Sequence, residues 1–213
     1  ICFKPYNVIN KMKKAILSSA YFGPIQYYSK LFRYDEIGME RYDNYVKQTF
    51  RNRCVIMTTN GPQSLTIPIE GFDGSKCLMR DIRMSDHGNW RHLHLNALES
   101  AYGVSPYYEF YIDEIRPFFE RRWTYLYDYN LEICMKMCDF IDIRPNIVST
   151  SEYVKSDEVD DFRDSIRPKH PLPDASFTTR PYYQVYQQKH GFVENLSILD
   201  LLFNMGPEGI FYL

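Results

Sequence analysis

The hydrophobic pattern of the chain is clearest at two strand-like runs joined by a turn. Cys54 to Thr58 and Leu65 to Ile69 are rich in β-branched and apolar residues. Asn60-Gly61-Pro62 between them has turn chemistry, because Asn and Gly tolerate a positive φ and Pro fixes φ. The pattern therefore predicts a β-hairpin in this stretch.

The residues before the hairpin show the pattern of a strand, a helix and a second strand. Ala15 to Ser19 is a short apolar run. Pro24 suits the first turn of a helix through Phe32, because its missing N–H is not needed there. Glu36 to Glu40 predicts the second strand. This order favours a parallel strand pair in an α/β sheet.

The middle of the chain has mainly helical periodicity. The predicted elements after the hairpin are an edge strand at 82–84, a helix capped by Ser85-Asp86 and ended by Gly103, a helix from Pro106 interrupted at Pro117, a helix at 124–140 and a strand at 147–149. The chain also contains 19 tyrosines and 14 phenylalanines. Core packing is the favoured use of these rings, and a sugar or nucleotide pocket is the alternative.

The composition changes after residue 150. Residues 151–181 are crowded with Asp, Glu, Arg and Pro and have little periodicity, which predicts an exposed excursion, either a surface loop or a lid. The apolar segment near the end predicts a short amphipathic helix. Ser197 is expected to cap this helix, and Asp200 to interact favourably with its dipole.

Together these patterns predict one α/β domain over residues 12–213, with a mixed, partly parallel sheet, a central β-hairpin and a helical middle region. A chain of 213 residues with 45% hydrophobic content can bury a full core. Residues 1–11, ICFKPYNVINK, precede Met12, which resembles a bacterial start. We expect these residues to be a non-native or disordered leader.

The charges of the chain nearly cancel, with 25 basic and 27 acidic residues. No overall field therefore points to nucleic acid or to an anionic membrane surface. No apolar run approaches the roughly twenty residues that a membrane span needs. Neither nucleic-acid binding nor membrane insertion is expected.

The chain has five cysteines, an odd number without paired zinc spacing. This usage indicates a reducing compartment, with the cytoplasm as the default. Cys134 and Cys138 lie four residues apart on a predicted helix, where two core thiols are favoured over half of a metal site. No Gly-rich phosphate-binding motif is present either. We therefore expect no metal and no cofactor.

Three cations lie just before the first hairpin strand. Lys47, Arg51 and Arg53, with Asn52 between the arginines, predict a set of donors at one end of a sheet. Arg offers a planar fork and Lys a point charge to carboxylate or phosphate oxygens. A solvated helix end explains the same pattern equally well. The loop at residues 18–23, before a predicted helix start, is a second candidate for an anion pocket.

The helix WRHLHLNALESAY carries the second candidate cluster. Apolar and aromatic residues recur every four positions from Trp90 to Tyr102, and His94 shares their face. A histidine in such a place is typically a core residue bonded to the backbone. If His94 instead faces a cleft, its near-neutral pKa suits a general base. Glu99 lies off that face and reaches His94 only through a fold-back.

Four pieces of the chain occur in an order that carries a resemblance. They are SAYFGPIQYYSKLFRYDEIGMERYDNYVKQTFRNRC, NGPQSLTIPIEG, WRHLHLNALESAYGVSPYYEFY and NLSILDLLFNMGPEG. From Met12 onward, nearly the whole chain resembles the WbqC-like protein family. The positions that match the recurrent family pattern are Gln26, Lys47, Asn52, Arg53, Asn60, Gly61, Pro68, His94, Glu99, Tyr102, Pro106, Ser197, Asp200 and Gly206. Ala20 departs from it, since many members carry Gln there.

The resemblance implies an association with bacterial O-antigen and surface-polysaccharide synthesis. It also implies a transferase that moves an amino-acid or acyl group onto a sugar. The alternative is a non-catalytic binding protein for a nucleotide-sugar or another anionic ligand. The expected partners are an anionic or sugar small molecule and other polysaccharide-synthesis enzymes.

The implied mechanism assigns roles to particular residues. His94, with Glu99, acts as general base on a sugar amine or hydroxyl, and the cations bind a phosphate or carboxylate of the donor. The aromatic rings stack on the sugar. The implied substrate-binding residues are Tyr21, Gln26, Lys47, Arg51, Asn52, Arg53 and Tyr102.

Overall fold

A strand, a helix and a second strand open the fold, as the sequence predicts. The computed structural model describes residues 12–155 and 159–213. The three elements are β1 (Lys14–Ser18), α1 (Ile25–Arg33) and β2 (Glu36–Glu40). β1 and β2 pair in parallel, with Ala15 opposite Ile37. Pro24 is the N-cap residue of α1, where a missing N–H costs nothing.

Two short strands extend this pair into a four-stranded parallel sheet. β5 (Ile147–Ser149) pairs with β2, and β6 (Asp160–Asp161) pairs with β1. The strand order is β5-β2-β1-β6. Because all four strands run in the same direction, their carboxyl ends lie at one edge of the sheet and their amino ends at the other.

The predicted hairpin is present as a separate antiparallel pair. It consists of β3 (Arg53–Thr58) and β4 (Gly61–Thr66). The second strand was predicted at Leu65 to Ile69, but it begins four residues earlier, at Gly61. The reason is that a turn of only two residues, Thr59 and Asn60, sets the register of the hairpin. Gly61 has a φ of 103°, and a residue with a side chain would be strained in this conformation.

Helices cover the middle and the end of the chain. They are α2 (Trp90–Tyr102), α3 (Tyr108–Ile115), α4 (Pro117–Glu120), α5 (Leu126–Phe140), α6 (Gln187–His190) and α7 (Ile198–Met205), with 3-10 turns at Met79–Asp81, His87–Asn89 and Gly206–Tyr212. As predicted, Pro117 starts a new helix and Ser197 caps α7, where its Oγ accepts from the Leu199 N–H at 3.3 Å. None of the helices in the described residues has the length and apolar character that a membrane span requires.

Two predictions in the middle region were wrong. The segment at 82–84 forms isolated bridges with Ile69 and Tyr125 rather than a strand. Ser85 and Asp86 do not cap α2, because Gly88, with a φ of 76°, interrupts the helical path before Trp90. The Ser85 hydroxyl instead accepts from the N–H of His87 at 3.1 Å.

One continuous core joins the sheet, the hairpin and the helices. The five largest fully buried side chains are all tyrosines, which is the use of the aromatic residues that composition favoured; they are Tyr21, Tyr28, Tyr102, Tyr127 and Tyr129. Within residues 151–181, β6 joins the sheet and Asp174 pairs with the fully buried Lys30. The division into one domain with an exposed excursion stays a prediction, and the proposed leader at 1–11 lies outside the described residues.

Candidate functional site

Polar side chains gather at the carboxyl edge of the parallel sheet. Ser18 ends β1, Glu40 ends β2, Thr150 follows β5 and Arg163 follows β6. All four are buried. In open α/β sheets, ligands bind in the crevice outside the carboxyl ends of the strands. This edge is therefore the first place to look for a site.

The first half of the cluster is a buried ion pair bonded to the end of β1. One guanidinium nitrogen of Arg51 donates to Asp43 Oδ2 at 2.5 Å and to Ser18 Oγ at 2.8 Å, and the Ser18 hydroxyl donates to Asp43 at 2.9 Å. Arg51 is 4% exposed and Asp43 is 6% exposed. Within residues 12–155 and 159–213, Arg51 Nε and Asp43 Oδ1 have no hydrogen-bond partner. Both atoms are buried as well as unpaired, so each would gain a hydrogen bond from a ligand that reaches it.

The second half is centred on Arg163. Its guanidinium donates to Glu40 Oε2 at 2.9 Å, to Asp161 Oδ1 at 3.0 Å and to Asp161 Oδ2 at 2.6 Å. Burial alone would raise the pKa of Asp161, but the hydrogen bonds from Arg163 lower it below its usual value. Glu40 Oε1 also accepts from the Thr150 hydroxyl at 2.8 Å. We call Ser18, Glu40, Asp43, Arg51, Thr150, Asp161 and Arg163 the carboxyl-edge cluster.

An open cleft of about 250 Å³ gives access to this cluster. Its walls are formed by Asp43, Asn44, Val46, Arg51, Tyr153, Arg163 and Asp164, and we call it the carboxyl-edge cleft. Tyr153 is 54% exposed, and the Arg163 guanidinium stacks on its ring at 4.4 Å. The cleft thus combines an aromatic face with fixed donors and acceptors.

The carboxyl-edge cluster contains one carboxylate more than it has arginines. Two arginines face three carboxylates, those of Glu40, Asp43 and Asp161. A buried ion pair is stable only when hydrogen bonds satisfy its remaining atoms, as they do around Arg163. A cluster without excess positive charge offers little net attraction to an anion. It suits a ligand with many hydroxyl or amine groups, which both accept and donate hydrogen bonds.

The structure separates the three predicted cations. Arg51 lines the carboxyl-edge cleft, whereas Lys47 is exposed and Arg53 Nε donates to Thr66 Oγ1 on the hairpin at 3.2 Å. Asn52 is buried between the arginines, and its amide donates to the Ile67 carbonyl at 2.8 Å. Asn52 therefore ties the cationic stretch to the hairpin. The loop at 18–23 does contribute, because Ser18 binds Arg51.

His94 lies in the core between aromatic rings. It is 5% exposed, and its Nδ1 shares a hydrogen bond of 2.9 Å with the Tyr21 hydroxyl. Trp90 and Phe119 have ring centroids 5.1 and 6.4 Å from the imidazole. Burial penalises the imidazolium and lowers the pKa of His94 to about 4. The ring is therefore neutral at neutral pH, as in the core-histidine alternative.

The other proposed site residues lie in different surroundings. Glu99 is exposed on α2. Tyr21 and Tyr102 are fully buried, so neither ring presents a free face to a sugar in this conformation. Gln26 is also buried, and its amide donates to Asp174 Oδ2 at 2.8 Å.

Asp200 has more contacts than a helix-dipole interaction requires. Its carboxylate accepts from the hydroxyls of Tyr102 at 2.8 Å and Tyr182 at 2.6 Å and from the Gln184 amide at 3.0 Å. Burial raises the pKa of Asp200 to about 6, although these bonds act in the opposite direction. Asp200 therefore links α2, α7 and the segment before α6 inside the core.

Sequence reasoning missed most of the carboxyl-edge cluster. One signal was available, since Ser18 lies next to the end of the first predicted strand and Glu40 ends the second strand of the parallel pair. Asp43 follows shortly after the second of these strands. Arg163 offered no comparable signal, because it lies in the aperiodic segment after residue 150.

Comparison with known proteins identifies a protein family and one sequence relative. No solved structure matches it. The chain is 26% identical over 217 residues to "Uncharacterized protein Rv1507c" from Mycobacterium tuberculosis (strain ATCC 25618 / H37Rv), an alignment that covers 91% of each chain. The model of the WbqC-like protein family matches residues 19–166 and 174–212, which include both arginines of the carboxyl-edge cluster. The chain, with this cluster at the carboxyl edge of its sheet, therefore belongs to the WbqC-like protein family.

Proposed function

We propose that this chain is a cytoplasmic transferase of bacterial surface-polysaccharide synthesis that moves an amino-acid or acyl group onto a sugar held in the carboxyl-edge cleft. The observation that carries the proposal is the buried Ser18–Asp43–Arg51 arrangement, which opens into a cleft at the ligand-binding edge of a parallel sheet. The free thiols of Cys54, Cys134 and Cys138 are buried, which suits a reducing compartment.

The size and lining of the cleft favour one sugar ring as the ligand. Pockets for drug-sized ligands measure roughly 300–1,000 Å³, and this cleft, at about 250 Å³, lies just below that range. The exposed ring of Tyr153 offers an apolar face for the sugar C–H groups. Asp43, Asn44 and Asp164 offer polar atoms to its hydroxyl or amine groups.

Asp43 is the residue of the cleft best placed to act as general base. Its Oδ1 is buried and unpaired in this conformation, and once the cleft wall moves aside it would accept the proton of a sugar hydroxyl or amine while that group attacks the donor carbonyl carbon. The bond to the leaving group then breaks, and the leaving group takes the electron pair and the proton from Asp43. Arg51 and Ser18 hold the other carboxylate oxygen and so orient the base. Such a base contributes roughly 10²–10⁴-fold to a rate.

We assign this role to Asp43 rather than to His94 because Asp43 borders the cleft, whereas the two side chains are buried to a similar degree. A sugar in the carboxyl-edge cleft would meet Asp43, which lines it. His94 is bonded to Tyr21 among buried rings. In a turnover assay, His94→Gln would then change the rate through folding alone, whereas Asp43→Asn would remove most of the activity of a folded protein.

A thermal-shift screen against amino sugars and nucleotide-sugars, repeated with Tyr153→Ala, tests the proposal. A ligand that binds the folded state raises the melting temperature. The matched control is Tyr183→Ala, since Tyr183 is exposed to a similar degree, 47%, and lies outside the cleft. We expect Tyr153→Ala to remove the shift and Tyr183→Ala to keep it. An equal shift in both variants would contradict sugar binding in this cleft.

A non-catalytic binding protein for a nucleotide-sugar or another anionic ligand is the second candidate. The burial of His94 favours it, because the base implied by the family resemblance lies away from the cleft. This candidate predicts that a bound sugar is recovered unchanged after incubation with acyl and aminoacyl donors. The transferase proposal predicts a product whose mass is raised by the transferred group.

A further inference from the structure

A second cavity lies at the opposite edge of the parallel sheet. It measures about 560 Å³ and is lined by Lys13, Arg33, Tyr34, Asp160, Ala175, Ser176, Thr178 and Arg180. Lys13 precedes β1, Tyr34 precedes β2 and Asp160 begins β6, so the cavity is at the amino ends of the strands. We call it the amino-edge pocket.

The lining of the amino-edge pocket is cationic. Lys13, Arg33 and Arg180 face one carboxylate, that of Asp160, which accepts a hydrogen bond of 2.6 Å from the Tyr34 hydroxyl. Among the residues that the structure describes, no Asp or Glu side chain lies within ion-pair distance of the three cations. Unlike the carboxyl-edge cluster, this pocket therefore keeps a net positive charge.

Main-chain oxygens hold both guanidinium groups in place. Arg33 donates to the peptide oxygen of Ser176 at 2.6 Å and Arg180 to that of Phe211 at 3.1 Å, while Arg33 also donates to an oxygen of Leu213, the last residue of the sequence, at 2.7 Å. A guanidinium has five N–H donors, so each group keeps donors for a ligand. Positioned arginine forks match the oxygens of phosphate groups.

A buried ion pair fixes the wall that carries Ser176. Lys30 on α1 is fully buried, and its ammonium lies 2.5 Å from Asp174 and donates to Ser176 Oγ at 2.6 Å. The N–H and hydroxyl of Ser176 both donate to Asp174 Oδ1. The segment from 174 to 176 is thus attached to the helix beside the sheet. The donors of the pocket are therefore already positioned, and ligand binding loses little side-chain entropy.

We propose that the amino-edge pocket binds a phosphate-bearing small molecule, with Lys13, Arg33 and Arg180 neutralising its charge. This site is separate from the carboxyl-edge cleft and does not depend on the function proposed for that cleft. Its volume admits a diphosphate together with an attached group. Thr178 and Ser176 offer further polar atoms to the phosphate oxygens.

Isothermal titration calorimetry of the full chain with inorganic pyrophosphate tests the proposal. The variants are Arg180→Gln and Lys13→Gln, both at exposed positions, so the fold is expected to persist. The control is Arg122→Gln, which removes the same charge from an arginine whose side chain is 88% exposed and lines neither of the two cavities. Circular dichroism of each variant verifies the fold.

We expect Arg180→Gln to weaken pyrophosphate binding about tenfold or more, because a charge-assisted hydrogen bond is lost. Lys13→Gln is expected to weaken it several-fold and Arg122→Gln to leave it unchanged. Uridine diphosphate should bind at least as tightly as pyrophosphate, and uridine should not bind. Equal losses in the variants and the control, absence of pyrophosphate binding at millimolar concentration, or binding of uridine alone would overturn the proposal.

Discussion

The arginines at the two edges of the parallel sheet differ in burial and in the groups that accept their hydrogen bonds. At the carboxyl edge, Arg51 and Arg163 are buried and paired with carboxylates. At the amino edge, Arg33 and Arg180 are exposed and bonded to main-chain oxygens. Residue type therefore does not decide what an arginine binds. Its charge stays available to an anion only where neutral oxygens accept its hydrogen bonds and no carboxylate pairs with it.

The same contrast appears within a single strand. Glu36 begins β2 and forms an exposed pair with Lys14 at 2.7 Å, while Glu40 ends β2 and forms a buried pair with Arg163 at 2.9 Å. An exposed pair is worth about 0–1 kcal/mol. Removal of one partner from a buried pair is much more costly, because it leaves a charge without compensation.

The largest expected effect comes from this pair of glutamates. Glu40→Ala should lower the free energy of unfolding by about 3 kcal/mol or more, since it also removes the acceptor of Thr150. The matched change Glu36→Ala should cost less than about 1 kcal/mol. Urea unfolding followed by circular dichroism measures both. Similar losses for the two variants would show that the carboxyl-edge pair is not buried in solution.

An acid titration probes the ion pair behind the amino-edge pocket. Burial alone would raise the pKa of Asp174, but hydrogen bonds from Lys30, Gln26 and Ser176 lower it to about 2. A carboxyl whose folded pKa lies below its unfolded value stabilises the protein above the unfolded value, near pH 4. That stability is lost as the pH falls toward 2.

Asp174→Asn should therefore remove part of the loss of folding stability that acid causes. We expect wild type to be more stable than the variant by roughly 2–4 °C in melting temperature at pH 6, with the difference shrinking below pH 4. Melting curves at pH 6, 5, 4 and 3 measure it. A constant difference across this range would mean that the Asp174 carboxylate is not the titrating group.

Ionic strength should distinguish the ligands of the two edges. Pyrophosphate binding at the exposed amino-edge cations should weaken about several-fold between 50 and 300 mM salt, because salt screens exposed charges. Sugar binding in the carboxyl-edge cleft, which has no excess positive charge, should change less than about twofold. Calorimetric titrations at both salt concentrations measure the two dependences. Equal salt dependence at the two edges would show that the sites do not differ in net charge.

The smallest expected effect is on stability at the amino edge. Arg180→Gln and Lys13→Gln should each change the free energy of unfolding by no more than about 0.5 kcal/mol, as exposed substitutions usually do. Urea unfolding measures this as well. A loss above about 1 kcal/mol would assign these cations to the support of the fold rather than to a ligand.

Local sequence signals predicted the elements well where short-range chemistry sets them. β2 and β5 have the predicted bounds, Pro117 separates two helices, and Ser197 caps α7. The cap at Ser85-Asp86 failed because Gly88 turns the chain away from the helical path. Strand patterns, Pro and helix caps act over a few residues, so the sequence shows them directly.

The candidate site could be predicted only in part. Arg51 was recognised as a cationic candidate, and it lines the carboxyl-edge cleft. The sequence could not show that Asp43 neutralises Arg51, or that Arg163 arrives from more than a hundred residues away to bind Glu40. For His94, helix spacing identified the packing face correctly but left open whether that face meets a cleft or the core.

The sequence by itself determined the family through its ordered motifs. It also determined the α/β class and the positions of most helices and strands, because apolar periodicity and turn chemistry are local properties. The tertiary structure alone decided which cations keep their charge. Burial and pairing depend on residues that are distant in the chain, such as Glu40 and Arg163 or Lys30 and Asp174. The free energy of a charge depends on the solvent and partners around it, and those are determined by the fold.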